Sequence, residues 1–229
     1  MKRMHSLIPV ALTLLVLGSC SVAAHARVTD AAGDFISSYD AANPRNGDLD
    51  VLSADVFYDG TNYTLTTTLS GLVGTTTDAG GVANVLYVWG FDRGGATNSP
   101  ANFAAIGITN VFFNSVVILR PNGTVTVNRL GGGGTTNLPA GTAVINGNTI
   151  SATISGTELP STQAGFTGEQ YTWNLWPRLT GGGTENIADF APNNANAPVT
   201  VVPEAGSIAL FLPALLGAVA VAILTRKGA

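Results

Sequence analysis

Four aspartates early in the chain have the residue type and spacing for metal chemistry. Asp30-Ala31-Ala32-Gly33-Asp34 and Gly47-Asp48-Leu49-Asp50 set carboxylates at i,i+4 and i,i+2 inside glycine-containing segments. Calcium takes 6–8 oxygens at about 2.3–2.6 Å, and carboxylates with loop carbonyls supply them. If the segment holding Asp30 and Asp34 packs across the strand after Asp50, Asp30, Asp34, Asp48 and Asp50 can converge on one ion. The competing use of such residues is turn capping, in which an aspartate accepts from nearby backbone N–H groups. A second candidate lies in Tyr171-Thr172-Trp173-Asn174-Leu175-Trp176-Pro177-Arg178. Strand alternation puts Tyr171, Trp173 and Leu175 on one face and Asn174 with Trp176 on the other. With the first face in the core, Trp176 is expected outward beside Asn174 and Arg178, a platform on which a sugar ring can stack. Burial in a core is the competing use of so large an aromatic. Glu158, Glu169, Glu185 and Asp189 are formally eligible as the carboxylate pair of a glycosidase, but no spacing selects two of them. A chain without catalytic activity is therefore expected.

Other chemistries are excluded by what the middle of the chain lacks. Both histidines (His5, His25), the single cysteine (Cys20), both methionines and both lysines (Lys2, Lys227) lie near the ends, so residues 27–202 contain none of these types. That removes Ser-His-Asp and Cys-His catalysis, zinc held by Cys or His, disulfides, and a phosphate-binding P-loop lysine. Haem has no axial His or Met to bind it. From residue 28 to 202 there are five arginines and 13 carboxylates, a net charge of −8. This is the wrong sign for a phosphate-neutralising nucleic-acid surface.

The elements that must position these residues read as strands. Period-two runs bounded by Gly, Asn, Asp and Pro recur, and helical periodicity is nearly absent. In residues 63–70, Tyr63, Leu65, Thr67 and Leu69 share one face, and Thr64, Thr66, Thr68 and Ser70 share the other. The run 51–58 pairs with it through Asp59-Gly60-Thr61-Asn62, a hairpin turn. Further strands are expected at 85–91, 103–108, 111–119, 124–129, 143–145, 149–155, 170–177 and 186–190. A helical turn fits residues 157–160, and the glycine runs 131–134 and 181–183 read as flexible loops. About ten short strands with one apolar face predict an all-β fold, an antiparallel two-layer β-sandwich with a barrel as the alternative. The domain is expected over 27–190, followed by an Asn/Ala/Pro spacer over 191–202.

The two ends read as addresses. Lys2 and Arg3, an apolar run over 7–18 and the small-residue site Ala24-His25-Ala26 follow the plan of a signal peptide over 1–26. Leu17-Gly18-Ser19-Cys20 also resembles a bacterial lipobox, which offers lipidation at Cys20 instead of cleavage after Ala26. Residues 205–225 are 21 residues without a charge, about 31 Å of helix, enough to span a bilayer. Arg226 and Lys227 follow, and the positive-inside rule puts them in the cytoplasm with the body outside.

Val202-Pro203-Glu204-Ala205, the apolar span, and Arg226-Lys227 together resemble a PEP-CTERM sorting signal over 203–229, with Ala205 standing where the family has Pro. The resemblance implies export in a Gram-negative bacterium, processing by an exosortase, and delivery to the cell surface, often in strains that secrete exopolysaccharide. The body has a second resemblance. Asp30-Ala31-Ala32-Gly33-Asp34, Gly47-Asp48-Leu49-Asp50-Val51, Tyr87-Val88-Trp89-Gly90-Phe91-Asp92 and the 171–178 run are similar to DOMON-like and family 9 carbohydrate-binding-module-like sandwiches. That likeness implies a β-sandwich, often with calcium near its N-terminal segment and sometimes with a sugar ligand. The combined expectation is an exported, surface-sorted protein associated with extracellular matrix or polysaccharide. Its alternatives are a purely structural, glycosylated surface protein and, remotely, a carboxylate glycosidase.

Overall fold

The structure, a computed structural model, describes residues 27–201. The expected signal peptide, the motif Val202-Pro203-Glu204-Ala205, the span over 205–225 and the Arg226-Lys227 pair lie outside the described residues. Among the described residues no helix is long and apolar enough to cross a membrane.

Two sheets form, and they do not close into a barrel. The first contains β1 (Val28–Thr29), β2 (Val51–Tyr58), β3 (Asn62–Leu69), β8 (Ala143–Asn146), β9 (Thr149–Ser155) and β12 (Thr200–Val201). Its order is β1-β2-β3-β9-β8, with β12 also paired to β2. The second contains β4 (Val85–Asp92), β5 (Ser115–Leu119), β6 (Val125–Arg129), β7 (Gly134–Asn137), β10 (Thr172–Leu179) and β11 (Ala197–Pro198), in the order β11-β10-β4-β5-β6-β7. Every pairing is antiparallel except β12 against β2.

The β2–β3 hairpin forms because its turn is satisfied locally. The Asp59 carboxylate accepts from Thr61 N at 2.8 Å and Asn62 N at 2.6 Å, and Gly60 supplies the left-handed residue (φ 93°). Alternation along β3 is as the sequence predicts: Tyr63, Leu65, Thr67 and Leu69 are buried, and the intervening threonines are half-buried. The core between the sheets takes Val56, Leu65 and Ile150 from one side and Tyr87, Trp89 and Trp173 from the other. Each fully buried Trp removes about 200 Å² from water, roughly 5 kcal/mol of transfer free energy.

A second core lies on the other face of the second sheet. Val88 and Trp176, register partners on β4 and β10, pack there with Phe103, Ile108, Val111, Ile187 and Phe190. This cluster explains several departures from the expected strands. Residues 103–108 do not form a strand. The chain turns at Pro100 into a short helix, α1 (Ala101–Ala104), with Pro100 O accepting from Phe103 N and Ala104 N, and Gly107 (φ 85°) ends the turn. Phe103 is thereby carried down against Trp176, edge-on at 5.2 Å between ring centroids. Residues 186–190, also expected as a strand, begin in a 3-10 turn (Thr184–Asn186) and form no ladder with β10, meeting it through isolated bridges at Ile187 and the following Ala191 and a bond from Ala188 N to Pro177 O. The helical turn expected at 157–160 is a 3-10 turn at Gly156–Glu158, and the glycine run 131–134 ends in β7.

The expected spacer over 191–202 is, as far as residue 201, part of the domain. Ala191, Ala197 and Val199 are buried, β11 pairs with β10, and β12 pairs with β2. Its asparagines are fasteners. Asn194 Oδ1 accepts from Thr109 N at 2.7 Å and Asn110 N at 2.9 Å, and Asn196 Nδ2 donates to Phe112 O at 2.7 Å. An Asn/Ala/Pro composition looks loose in sequence because side-chain amides satisfying distant backbone leave no periodic signal.

Candidate metal centre

Three stretches distant in sequence bring carboxylates together. Leaving β1, Asp30 N donates to Leu52 O at 3.0 Å, which lays the 30–34 segment along the start of β2. Gly33, left-handed at φ 79°, turns its N–H onto both oxygens of Asp50, at 2.9 and 3.0 Å. The third stretch follows β10. Asp189, fully buried, accepts from Val51 N with Oδ2 at 2.9 Å and from Phe190 N with Oδ1 at 2.7 Å. The β2–β3 register shifts between Val51 and Ser53, and Val51 N at this irregularity reaches Asp189.

The result is a trio: carboxylate oxygens of Asp30, Asp34 and Asp189 all lie within 4.8 Å of one another. Asn193 Nδ2 spans the outer two, donating to Asp30 Oδ1 at 3.3 Å and Asp34 Oδ2 at 3.2 Å. The remaining oxygens, Asp30 Oδ2 and Asp34 Oδ1, are buried and have no hydrogen-bond partner. Buried acceptors left unmatched are costly, and ionised ones more so. The electrostatics register that cost. Burial, then the negative charges of Asp34 and Asp50, push Asp30 up to about 6 against the pull of the Ala31 N–H. Asp189 is pushed up to about 8, mainly by burial and further by Asp30 and Asp34, although two backbone N–H groups favour its charged form. Three carboxylates this close cannot all ionise without a cation among them.

Of the four aspartates expected at a metal site, Asp30 and Asp34 meet in the trio, and Asp50 stands behind it, holding Gly33. Asp48 goes elsewhere. On the 3-10 turn Gly47–Leu49, its fully buried carboxylate accepts from Thr76 N at 2.7 Å and Thr76 Oγ1 at 2.5 Å. It is a cap for the loop after β3, the competing use raised for these aspartates. Asp189 replaces it, together with Asn193. The only sequence signal for Asp189 is isolation: it is the one aspartate after Asp92.

The sugar platform does not form as expected. Trp176 does face away from Trp173, but it is 3% exposed, walled in by Phe103, Phe113 and Phe190. Asn174 is fully buried and ties down the 191–195 segment, its Nδ2 donating to Pro192 O at 2.6 Å and Ala195 O at 2.7 Å. Arg178 donates to the carbonyls of Leu179, Gly181 and Gly183, fastening the 181–183 loop. The three are structural because loops cover the outer face of the second sheet. Of the carboxylates eligible for glycosidase chemistry, Glu158 is ion-paired with Arg129 at 2.8 Å, and Asp189 belongs to the trio. Glu169 and Glu185 lie in separate 3-10 turns.

The fold is a two-sheet, largely antiparallel β structure, and the trio of Asp30, Asp34 and Asp189 is an acidic cluster that could hold a cation. No protein-family model matches the chain, and no curated protein matches it either.

Proposed function

We propose that this is an exported, non-catalytic surface protein whose β-sandwich is fastened by one calcium ion. The carrying observation is the pair of buried, partnerless oxygens, Asp30 Oδ2 and Asp34 Oδ1, on two carboxylates that cluster with the fully buried Asp189. Asp30, Asp34 and Asp189 would hold the ion directly, and Asp50 would hold the Gly33 turn in place. A bound calcium would neutralise the trio and crosslink the N-terminal segment to the 189–193 segment. Calcium suits the donor set, which is all oxygen, drawn from irregular backbone and free of the near-ideal octahedron magnesium demands. A body without disulfides gains most from such a crosslink. Export, exosortase processing at the Val202-Pro203-Glu204-Ala205 motif and attachment through a C-terminal membrane helix are supported by the sequence of the two ends. The burial of Trp176 favours a structural place in the extracellular matrix over sugar stacking.

The test is thermal unfolding and calorimetric titration of the purified protein in EDTA, calcium and magnesium. Calcium at about 100 times its Kd should add about 2.7 kcal/mol, a Tm rise of about 5–10 °C, with magnesium giving less. Equal Tm in calcium and EDTA, with no heat of binding, would remove the metal centre.

A further inference from the structure

The calcium reading uses none of the arginines, and two of them meet in a cleft that no role described so far occupies. The cleft, about 620 Å³, lies between the β6–β7 hairpin and the 157–162 loop, and Arg93, Arg129, Thr135, Ser161 and Thr162 line it. In a body with net charge −8, two arginines line this one cleft, near enough for Arg129 to act on the charge of Arg93. Arg93 is 3% exposed, and its partners are neutral oxygens: Asn114 Oδ1 at 3.0 Å, Pro160 O at 2.6 Å and Asn114 O at 3.1 Å. Three of its five N–H donors are thus used, leaving one on each terminal nitrogen. Burial and the like charge of Arg129 both press against its ionised form. Arg129 is paired with Glu158 and donates to Thr136 Oγ1, and the charge of Asp92 favours ionised Arg93, so what the two guanidinium groups offer a ligand is their unused N–H donors rather than a surplus charge.

The hydroxyls of the cleft have the opposite character. Thr135 Oγ1 donates to Asn128 Oδ1, Ser161 Oγ to Gln163 O, and Thr162 Oγ1 to Gly94 O. Thr162 Oγ1 also accepts from Asn114 Nδ2 at 2.9 Å and Ser161 Oγ from Gln163 N at 3.2 Å, so with their hydrogens committed to protein acceptors these two oxygens keep one lone pair each for an O–H donor, and Thr135 Oγ1 likewise offers a ligand only lone pairs. A ligand that fits must therefore carry an anion for the guanidinium groups and hydroxyl donors for the threonine and serine oxygens. Inorganic sulfate has no donors. A neutral sugar has no anion. We propose that this cleft binds acidic saccharide, with a uronate carboxylate against Arg93 and Arg129 and ring hydroxyls on Thr135, Ser161 and Thr162. The neighbouring loop, with left-handed Gly131 and Gly132 (φ 74° and 97°), presents backbone without side chains and leaves room for a chain to pass. The site shares no residue with the metal centre, so each can fail alone.

The experiment is calorimetric titration of the purified full-length protein with trigalacturonate, with its fully methyl-esterified form, and with sodium sulfate, each in calcium and in EDTA. Trigalacturonate should bind at least about tenfold more tightly than the ester, the loss expected when a charge-assisted pair is removed. The same preference should persist in EDTA. Arg129→Gln should cost a similar factor. Arg129→Lys, which keeps the charge opposite Glu158 and guards against loss of folding, should also weaken binding by losing the two-pronged geometry. Circular dichroism confirms that each variant is folded. Absence of trigalacturonate binding, equal binding of the ester, sulfate binding as tight as that of the saccharide, or unchanged affinity in both folded Arg129 variants would each overturn the proposal.

Discussion

Replacing Asp189 with Asn should make the metal-free protein more stable and the calcium-loaded protein less responsive, two effects of opposite sign from one atom. The reasoning starts from protonation. Asp189 titrates at about 8 in the folded chain against an ordinary 3.8, so between those values the native state holds a proton that the unfolded state has released. Stability therefore falls as pH rises through that window. At about pH 7.5 the cost relative to a side chain that never ionises approaches 5 kcal/mol, an upper bound, at 1.36 kcal/mol per unit. Asparagine has the same shape and carries no such cost. It does have only one acceptor oxygen for the two N–H groups, Val51 and Phe190, that Asp189 now satisfies. Leaving one of them unmatched costs about 1–3 kcal/mol. The balance in EDTA is a gain of about 2–4 kcal/mol, roughly 10 °C in Tm for a domain of this length. Near pH 4 the wild-type carboxyl is protonated in the folded chain and half-protonated in the unfolded one, so the gain should vanish and only the loss remain. The assay is differential scanning calorimetry of both proteins in EDTA and in calcium at about pH 4, 6 and 7.5. If Asp189→Asn is less stable than wild type in EDTA at every pH, and still gains as much from calcium, the reasoning about the trio is wrong.

Two other substitutions separate neighbouring roles. Asp48→Ala strips both acceptors from Thr76 and should cost about 1–3 kcal/mol by denaturant unfolding, while the calcium-induced Tm shift stays at its wild-type size. Loss of that shift would return Asp48 to the metal centre. At Gly90 an added Cβ would lie 2.7 Å from both Cη2 and Cζ3 of Trp176 and 3.0 Å from Phe113 Cγ. Gly90→Ala should therefore cost about 1–3 kcal/mol by overpacking and shift tryptophan fluorescence, and an unchanged unfolding midpoint would show that the second core is not packed as described.

What can be read in the sequence divides along the range of the interactions. The β2–β3 hairpin is legible because its signals are local: a period of two, and an aspartate-glycine turn whose carboxylate bonds residues two and three positions on. The opposite facing of Trp173 and Trp176 is legible for the same reason. The burial of Trp176 is not. It depends on Phe103, a residue whose apolar spacing suits strand and helix equally until Pro100 and Gly107 bound the turn. The carboxylate trio splits the same way. Asp30 and Asp34 sit in one turn and read as a pair, whereas Asp189 reaches them from 155 positions beyond Asp34, and no spacing rule connects such positions. Asp48 misleads because a carboxylate two residues from Asp50 is also well placed to cap the loop at Thr76.

The pairing of β12 with β2 sets how this domain would bear a pull. β1 lies along the same edge of β2, with Val28 opposite Ala54, and β12 lies beyond it, with Val201 opposite Tyr58. The described residues thus begin and end along one edge of β2, a few residues apart. Tension applied at residue 201 along its strand runs parallel to β2 and shears the β12 ladder, so its hydrogen bonds carry the load together instead of breaking in succession. The sheet interior, from β3 to β8, stays outside the line of force. Under a pull at residue 201, the short β12 ladder takes the strain before the core and the acidic turn beside β1.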